Sequence, residues 1–131
     1  MARRSEQSRN SEYVELHHSV ERHGDTAVIY VTGVVDFATA PLLRRDIDDC
    51  AAGDATRVEL HLGHIELMDS SGLGTLIHAY KLFGARGKEL VFLGSGPVVT
   101  RLLERTSLDR FIKIVPETES CCLEERPAHS A

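Results

Sequence analysis

Apolar and polar positions alternate from the first ordered-looking stretch of the chain. Val14, Leu16, His18 and Val20 interleave with Tyr13, Glu15, His17 and Ser19. That period of two predicts a strand with one covered face. A Gly24-Asp25 turn leads into residues 27–35, almost wholly apolar and rich in β-branched side chains, which reads as a central strand. Thr39 and Pro41 mark a helix start, Leu43, Ile47 and Cys50 follow at helical spacing, and Gly53 ends the run. Residues 57–63 return to alternation, with Val58, Leu60 and Leu62 set against Arg57, Glu59 and His61. A loop over 64–68 then precedes Asp69-Ser70-Ser71-Gly72, and Leu73, Leu76, Ile77, Tyr80 and Phe83 form a helical stripe up to Gly84 and Gly87. Residues 90–93 predict a buried strand, Pro97 opens a short helix, 111–115 form a last strand and 117–123 a final short helix.

Two strands in sequence pair as a hairpin, and the later strand–helix–strand units require right-handed crossovers with parallel pairing. The expectation is an α/β fold: one domain over residues 13–123, a mixed sheet of four to five strands and about four helices packed against it. Residues 1–12 are polar and aperiodic and read as a disordered tail, and 124–131 as a fraying end.

Composition narrows the function. At 131 residues the chain suits one domain, long enough to hold a core without covalent staples. Its net charge of −5 disfavours nonspecific nucleic-acid binding, which rests on neutralising phosphates. Aromatic residues make up only 5%, with no Trp, so base-stacking platforms are not expected either. No apolar run approaches a membrane span, and the charged N-terminus is not followed by the apolar segment of a secretory signal. Three cysteines, Cys50, Cys121 and Cys122, have no framework spacing and suit reduced thiols in a cytoplasm.

Functional groups in an open α/β sheet gather at the loops beyond the carboxyl ends of its strands. Two such loops are polar here. Residues 35–39 supply Asp36 and Thr39, and residues 68–72 supply Asp69, Ser70, Ser71 and Gly72. Both follow strands expected to be parallel, so they emerge on one edge. Ser70 stands where a helix N-cap belongs, and its hydroxyl is expected to accept an orphan N–H of the first turn. Gly72 and Gly74 are costly residues for a first turn unless another surface approaches the backbone there. Capping alone is a sufficient explanation for Asp69 and Ser70; a phosphate-accepting site at the helix start is the alternative.

The string M-D-S-S-G-L-G-T-L-I of residues 68–77 resembles the signature of STAS domains, specifically of bacterial anti-sigma factor antagonists. G-V-V-D-F-A-T-A-P-L-L of residues 33–43 is similar to that family's G-E-L-D-x-x-T-A-P pattern, and residues 89–111 resemble its final strand–helix–strand. The likeness spans roughly residues 13–123. It implies that Ser70 is the serine phosphorylated by a partner serine kinase that doubles as the anti-sigma factor. Asp69 would be its acidic neighbour in docking, Asp36 the second acidic residue at the interface, with Thr39, Ser71, Gly72 and Gly74 completing the partner surface. The unphosphorylated form would bind the ATP-loaded kinase and free the sigma factor, phosphorylation would switch that binding off, and a serine phosphatase would reset it. Val34 stands where the family commonly has Glu. The competing reading keeps the fold but makes the chain a non-switching STAS module, a scaffold in a stress-sensing or transport-associated complex.

Either way the chain reads as a ligand, not an enzyme. Neither serine lies in a G-x-S-x-G elbow and no phosphate-binding loop is present. His61 and His64 would point to opposite faces and read as surface or edge residues, and His17, His18 and His78 lack metal-ligand spacing, so no cofactor or metal is expected. Lys81, Arg86 and Lys88 form a small basic cluster, either a solvated face or a contact for an acidic partner. A disulfide joining Cys50 to Cys121 or Cys122 is a minor redox alternative, and a monomer is the default expectation.

Overall fold

The alternating runs become a five-stranded sheet in which every neighbour in space is also a neighbour in sequence, order β1-β2-β3-β4-β5. The computed structural model describes residues 16–94 and 96–120. β1 (His17–His23) and β2 (Thr26–Val35) form the antiparallel hairpin, with His23 opposite Thr26 across the expected turn. β3 (Arg57–Met68), β4 (Glu89–Leu93) and β5 (Ile114–Val115) follow in parallel. The crossovers are α1 (Ala40–Ala52), α2 (Ser70–Ala85) and α3 (Pro97–Arg105). Two 3-10 turns, Leu108–Arg110 and Glu117–Glu119, flank the last strand.

All three helices pack on one sheet face. Leu43 and Ile47 from α1, Leu76, Ala79 and Phe83 from α2, and Val99 and Leu103 from α3 bury against Ile29, Val31, Val58, Leu60, Leu62 and Phe92. Burial of these side chains supplies the main driving force, on the order of 2 kcal/mol for each large aliphatic residue. Arg86 and Lys88 are accounted for within the fold. Arg86 donates to the Ala51 carbonyl at 3.2 Å, and Lys88 Nζ to the carbonyls of Gly53 and Ala55 at 2.7 and 2.6 Å. They satisfy carbonyls at and just beyond the end of α1, where positive charge is favoured.

Several expectations need correction. Leu16, just before β1, is covered, but the edge strand itself leaves Val20 exposed; residues 13–15 lie outside the described residues. Residues 64–68 are not a loop: they extend β3 and pair with the end of β2, Thr32 to His64, Gly33 to Ile65, Val34 to Leu67 and Val35 to Met68. Irregularities between Tyr30 and Thr32, and between Gly33 and Val34, break the period of two there. The backbone of Gly94, at φ +112°, lies so close to Gly63 that no side chain fits between them. The last strand shrinks to two residues because the amides of Phe111 and Ile112 close the 3-10 turn before it, each donating to the Leu108 carbonyl at 2.9 Å. Among the described residues there are three helices, and the stretch expected to form a fourth opens as a 3-10 turn at Glu117–Glu119; its residues 121–123 lie outside the described residues.

The largest departure is on the far face of the sheet. Glu59 and His61 read as solvent-facing partners of Val58 and Leu60, yet both are buried, with Val28 and Leu93 beside them. Glu59 remains tolerable because it is surrounded by donors. Arg57 Nε and Nη2 reach its Oε2 at 3.1 and 3.0 Å, and the Ser120 hydroxyl donates to Oε1 at 2.6 Å. His61 Nε2 lies 3.4 Å from the same Oε1, and its ring tilts against Tyr30 at 4.9 Å between centroids. Removing one member of a buried ion pair strands the other in a low-dielectric site. Glu59→Ala should therefore lower the unfolding free energy by about 2–4 kcal/mol in urea titrations; an unchanged midpoint would contradict the pairing.

Candidate functional site

The site rests on the ends of two neighbouring strands. β2 and β3 run parallel and finish together, Val35 opposite Met68, and the Asp69 N–H donates to the Val35 carbonyl at 3.2 Å. The next residue on each strand is an aspartate, and both carboxylates do the same work. Asp69 Oδ1 accepts from the amides of Ser71 and Gly72 at 2.8 and 3.2 Å. Asp36 Oδ1 accepts from the amides of Ala38 and Thr39, each at 3.0 Å. Each aspartate thus satisfies the amides two and three residues on, which open the turn into the next helix.

The expected N-cap is displaced by one residue. Asp69 caps α2, and Ser70 is its first helical residue. A carboxylate is the stronger acceptor for orphan amides at the positive end of a helix, so it takes the role assigned to the hydroxyl. The consequence matters for chemistry: Ser70 is exposed, and no hydrogen bond to its hydroxyl is found among the described residues.

The remaining candidate residues divide by what they touch. The Thr39 hydroxyl donates to the Val34 carbonyl at 2.8 Å and accepts from the Asp36 amide at 3.0 Å, which fastens the 36–39 loop. Val34, at the family's usual Glu position, is half-buried and contributes its carbonyl to that fastening. Ser71 is half-buried, and its carbonyl accepts from the Thr75 hydroxyl at 3.0 Å. Gly72 is buried, and a Cβ there would stand 2.6 Å from Met68 Cγ and 2.9 Å from the Val35 carbonyl oxygen. Its missing side chain lets the start of α2 lie directly on the strand ends, an internal close approach. Gly74 is the opposite case: it is exposed, and a Cβ would meet nothing within 4 Å.

Sequence reasoning passed over Phe37, which sits in the 36–39 loop with 77% of its surface exposed. Leu67, immediately before Met68, is also exposed. A single apolar residue in a polar loop carries no periodic signal, so neither stood out.

Other candidates settle into structural roles. His18 Nδ1 lies 2.6 Å from Asp46, and His78 Nε2 2.7 Å from Asp48, tying β1 and α2 to the flank of α1. His64 is exposed, and among the described residues no cluster of His, Cys, Asp and Glu has the makings of a metal site. Cys50 is a buried free thiol; burial, reinforced by Asp46 and Asp49, pushes its pKa up, which disfavours the reactive thiolate. Its suggested partners, Cys121 and Cys122, lie outside the described residues. Among the described residues no helix is long and apolar enough to cross a membrane.

A family model for the STAS domain matches residues 17–121. The chain belongs to the STAS-domain family. An anti-sigma F factor antagonist of Paenibacillus polymyxa is 30% identical over 104 residues, 79% of this chain and 86% of that protein. An anti-sigma-B factor antagonist of Listeria monocytogenes is 33% identical over 94 residues, 72% of this chain and 82% of that protein. The crystal structure of an anti-sigma factor antagonist from Mycobacterium paratuberculosis aligns with a TM-score of 0.70 at 27% identity, covering 77% of this chain and 86% of that one.

The two glycines of this STAS domain should separate in mutagenesis. Gly72→Ala should cost about 1–3 kcal/mol by overpacking against Met68 and Val35. Gly74→Ala should instead be neutral or stabilising by up to about 1 kcal/mol, since alanine is the better helix former. Thermal unfolding of both variants measures the difference.

Proposed function

We propose that this STAS domain is an anti-sigma factor antagonist switched by phosphorylation of Ser70. The observation that carries the reading is the Ser70 hydroxyl, exposed on the shared strand edge and left unengaged because Asp69 does the capping. The similarity to antagonists of the sigma-F and sigma-B systems supports the regulatory class, a protein that acts by binding and not by catalysis.

The unmodified edge docks on an anti-sigma factor that is also an ATP-dependent serine kinase, and so releases the sigma factor that the kinase held. Asp36 and Thr39 hold one half of the edge in shape. Asp69, Ser71 and Gly72 hold the other, and Gly74 offers flat helix backbone for close approach. Transfer of the γ-phosphoryl group from ATP to the Ser70 oxygen, with loss of the hydroxyl proton, adds about −1.5 to −2 charge and three acceptor oxygens. Placed on the first residue of α2, that charge suits the helix terminus and does not melt it. It acts on the interface, where the phosphate meets the nucleotide phosphates or acidic groups opposite. A mismatch of about 3 kcal/mol lowers affinity roughly a hundredfold, enough for partner exchange. A serine phosphatase restores the binding form, and the cycle takes place in the cytoplasm with a monomeric antagonist.

Incubation with ATP and the cognate anti-sigma kinase should place phosphate on Ser70, located by mass spectrometry, and lower binding about a hundredfold in calorimetry. Ser70→Ala should accept no phosphate and still bind. Phosphate on Ser71, or none, would contradict the assignment, as would equal binding by the phosphorylated chain and Ser70→Ala.

A further inference from the structure

The two strand ends are built alike, and that likeness assigns a role to Phe37. In each, an aspartate follows the last paired residue, its Oδ1 accepts the amides two and three positions on, and the residue directly after it is exposed at the tip. On β3 that tip residue is Ser70, and on β2 it is Phe37. Because Val35 and Met68 are paired, the two tips stand roughly 5–10 Å apart, one to two strand spacings.

A phenyl ring held mostly in water is unfavourable for the isolated chain, and the backbone that carries Phe37 is fastened on both sides of it. Asp36 Oδ1 also contacts the Thr39 hydroxyl at 3.2 Å, the Asp36 carbonyl accepts from the amides of Thr39 and Ala40, and Thr39 is tied to Val34. The loop of residues 36–39 is thus fastened with Phe37, its one large apolar side chain, exposed. A loop whose backbone is already held loses little freedom on binding, the condition under which an apolar anchor contributes most to affinity. Its surroundings define what fits over it. Leu67 near the end of β3 is exposed as well, and Asp36, Asp69 and the exposed Glu66 make this end of the sheet acidic.

We propose that Phe37 is the affinity anchor of the antagonist: it inserts into an apolar slot on the kinase, bordered by basic side chains and adjacent to the site that receives Ser70. This inference rests on the antagonist reading above and adds a division of labour to it. Phe37 holds the complex together, and Ser70 decides whether it forms. The ring contacts no reacting atom, so its loss weakens docking without impairing phosphoryl transfer once the complex exists.

The test uses the kinase that modifies Ser70, with the full-length wild-type chain, Phe37→Ala and Phe37→Leu. Phe37→Ala should weaken binding at least tenfold and raise KM for phosphorylation by a similar factor at unchanged kcat. Phe37→Leu should keep affinity within about threefold, and the thermal midpoints of all three should agree because the ring is outside the core. If wild type and Phe37→Ala bind the kinase within twofold of each other, the anchor role is overturned and the antagonist reading stands. If the wild-type chain binds no kinase, both fall together. A wild-type chain that self-associates through Phe37 in sedimentation, with the alanine variant monomeric, would assign the ring to a homodimer contact and also overturn the proposal.

Discussion

The Asp69 carboxylate is committed to the amides of Ser71 and Gly72, and that commitment leaves the neighbouring hydroxyl unengaged. A cap of this kind is worth only about 1 kcal/mol to the helix. Its larger effect is on position. If Ser70 were the cap, its oxygen would be turned into the first turn and occupied by an amide. With the carboxylate in that role, Ser70 moves onto the first helical residue and its oxygen faces solvent, still within the field of the helix terminus. A phosphoacceptor needs both access and a setting that tolerates the product's charge, and this arrangement supplies both.

The remainder of the fold keeps that arrangement in place. Parallel pairing of β2 and β3 as far as Val35 and Met68 brings the two aspartates to one edge, and Gly72 lets α2 seat directly on the strand ends. The helix face of the sheet is an apolar core of ordinary kind. The far face is held differently, by a buried carboxylate, Glu59, ringed by Arg57, His61 and the Ser120 hydroxyl. Such a network tolerates little rearrangement, because a displaced partner leaves a buried charge without a donor. The edge therefore sits on a scaffold braced from both sides, and its surface is formed in advance of the docking proposed for it.

Much of this was legible in the residues. The hairpin, α1, the order of strands and helices and the shared edge all followed from periodicity, from Pro and Gly punctuation and from the handedness of crossovers. The one-residue error at the N-cap has a plain cause. Asp69 and Ser70 are both good caps, and only the helix phase, set by Gly72 packing on Val35, decides between them. The extension of β3 through 64–68 was hidden because irregular pairing with β2 shifts the apolar positions out of alternation. Glu59 and His61 read as exposed because an alternating strand ordinarily has one wet face. Nothing in their own spacing reveals that Ser120, sixty-one residues beyond Glu59, comes back to cover it. Phe37 was on view in the motif, but exposure of a single residue is a property of the folded loop and not of a pattern.

The central claim is that phosphate at Ser70 changes the face of the molecule and leaves its frame alone. An amide 15N–1H map of the chain before and after stoichiometric phosphorylation tests it most directly. Shift changes should be confined to residues 36–39 and 66–75, with hydrogen-exchange protection of α2 preserved or increased. Loss of protection along α2, or shifts spreading to the far-face residues around Glu59 and Ser120, would show that the switch works by unfolding or repacking, and would contradict the account.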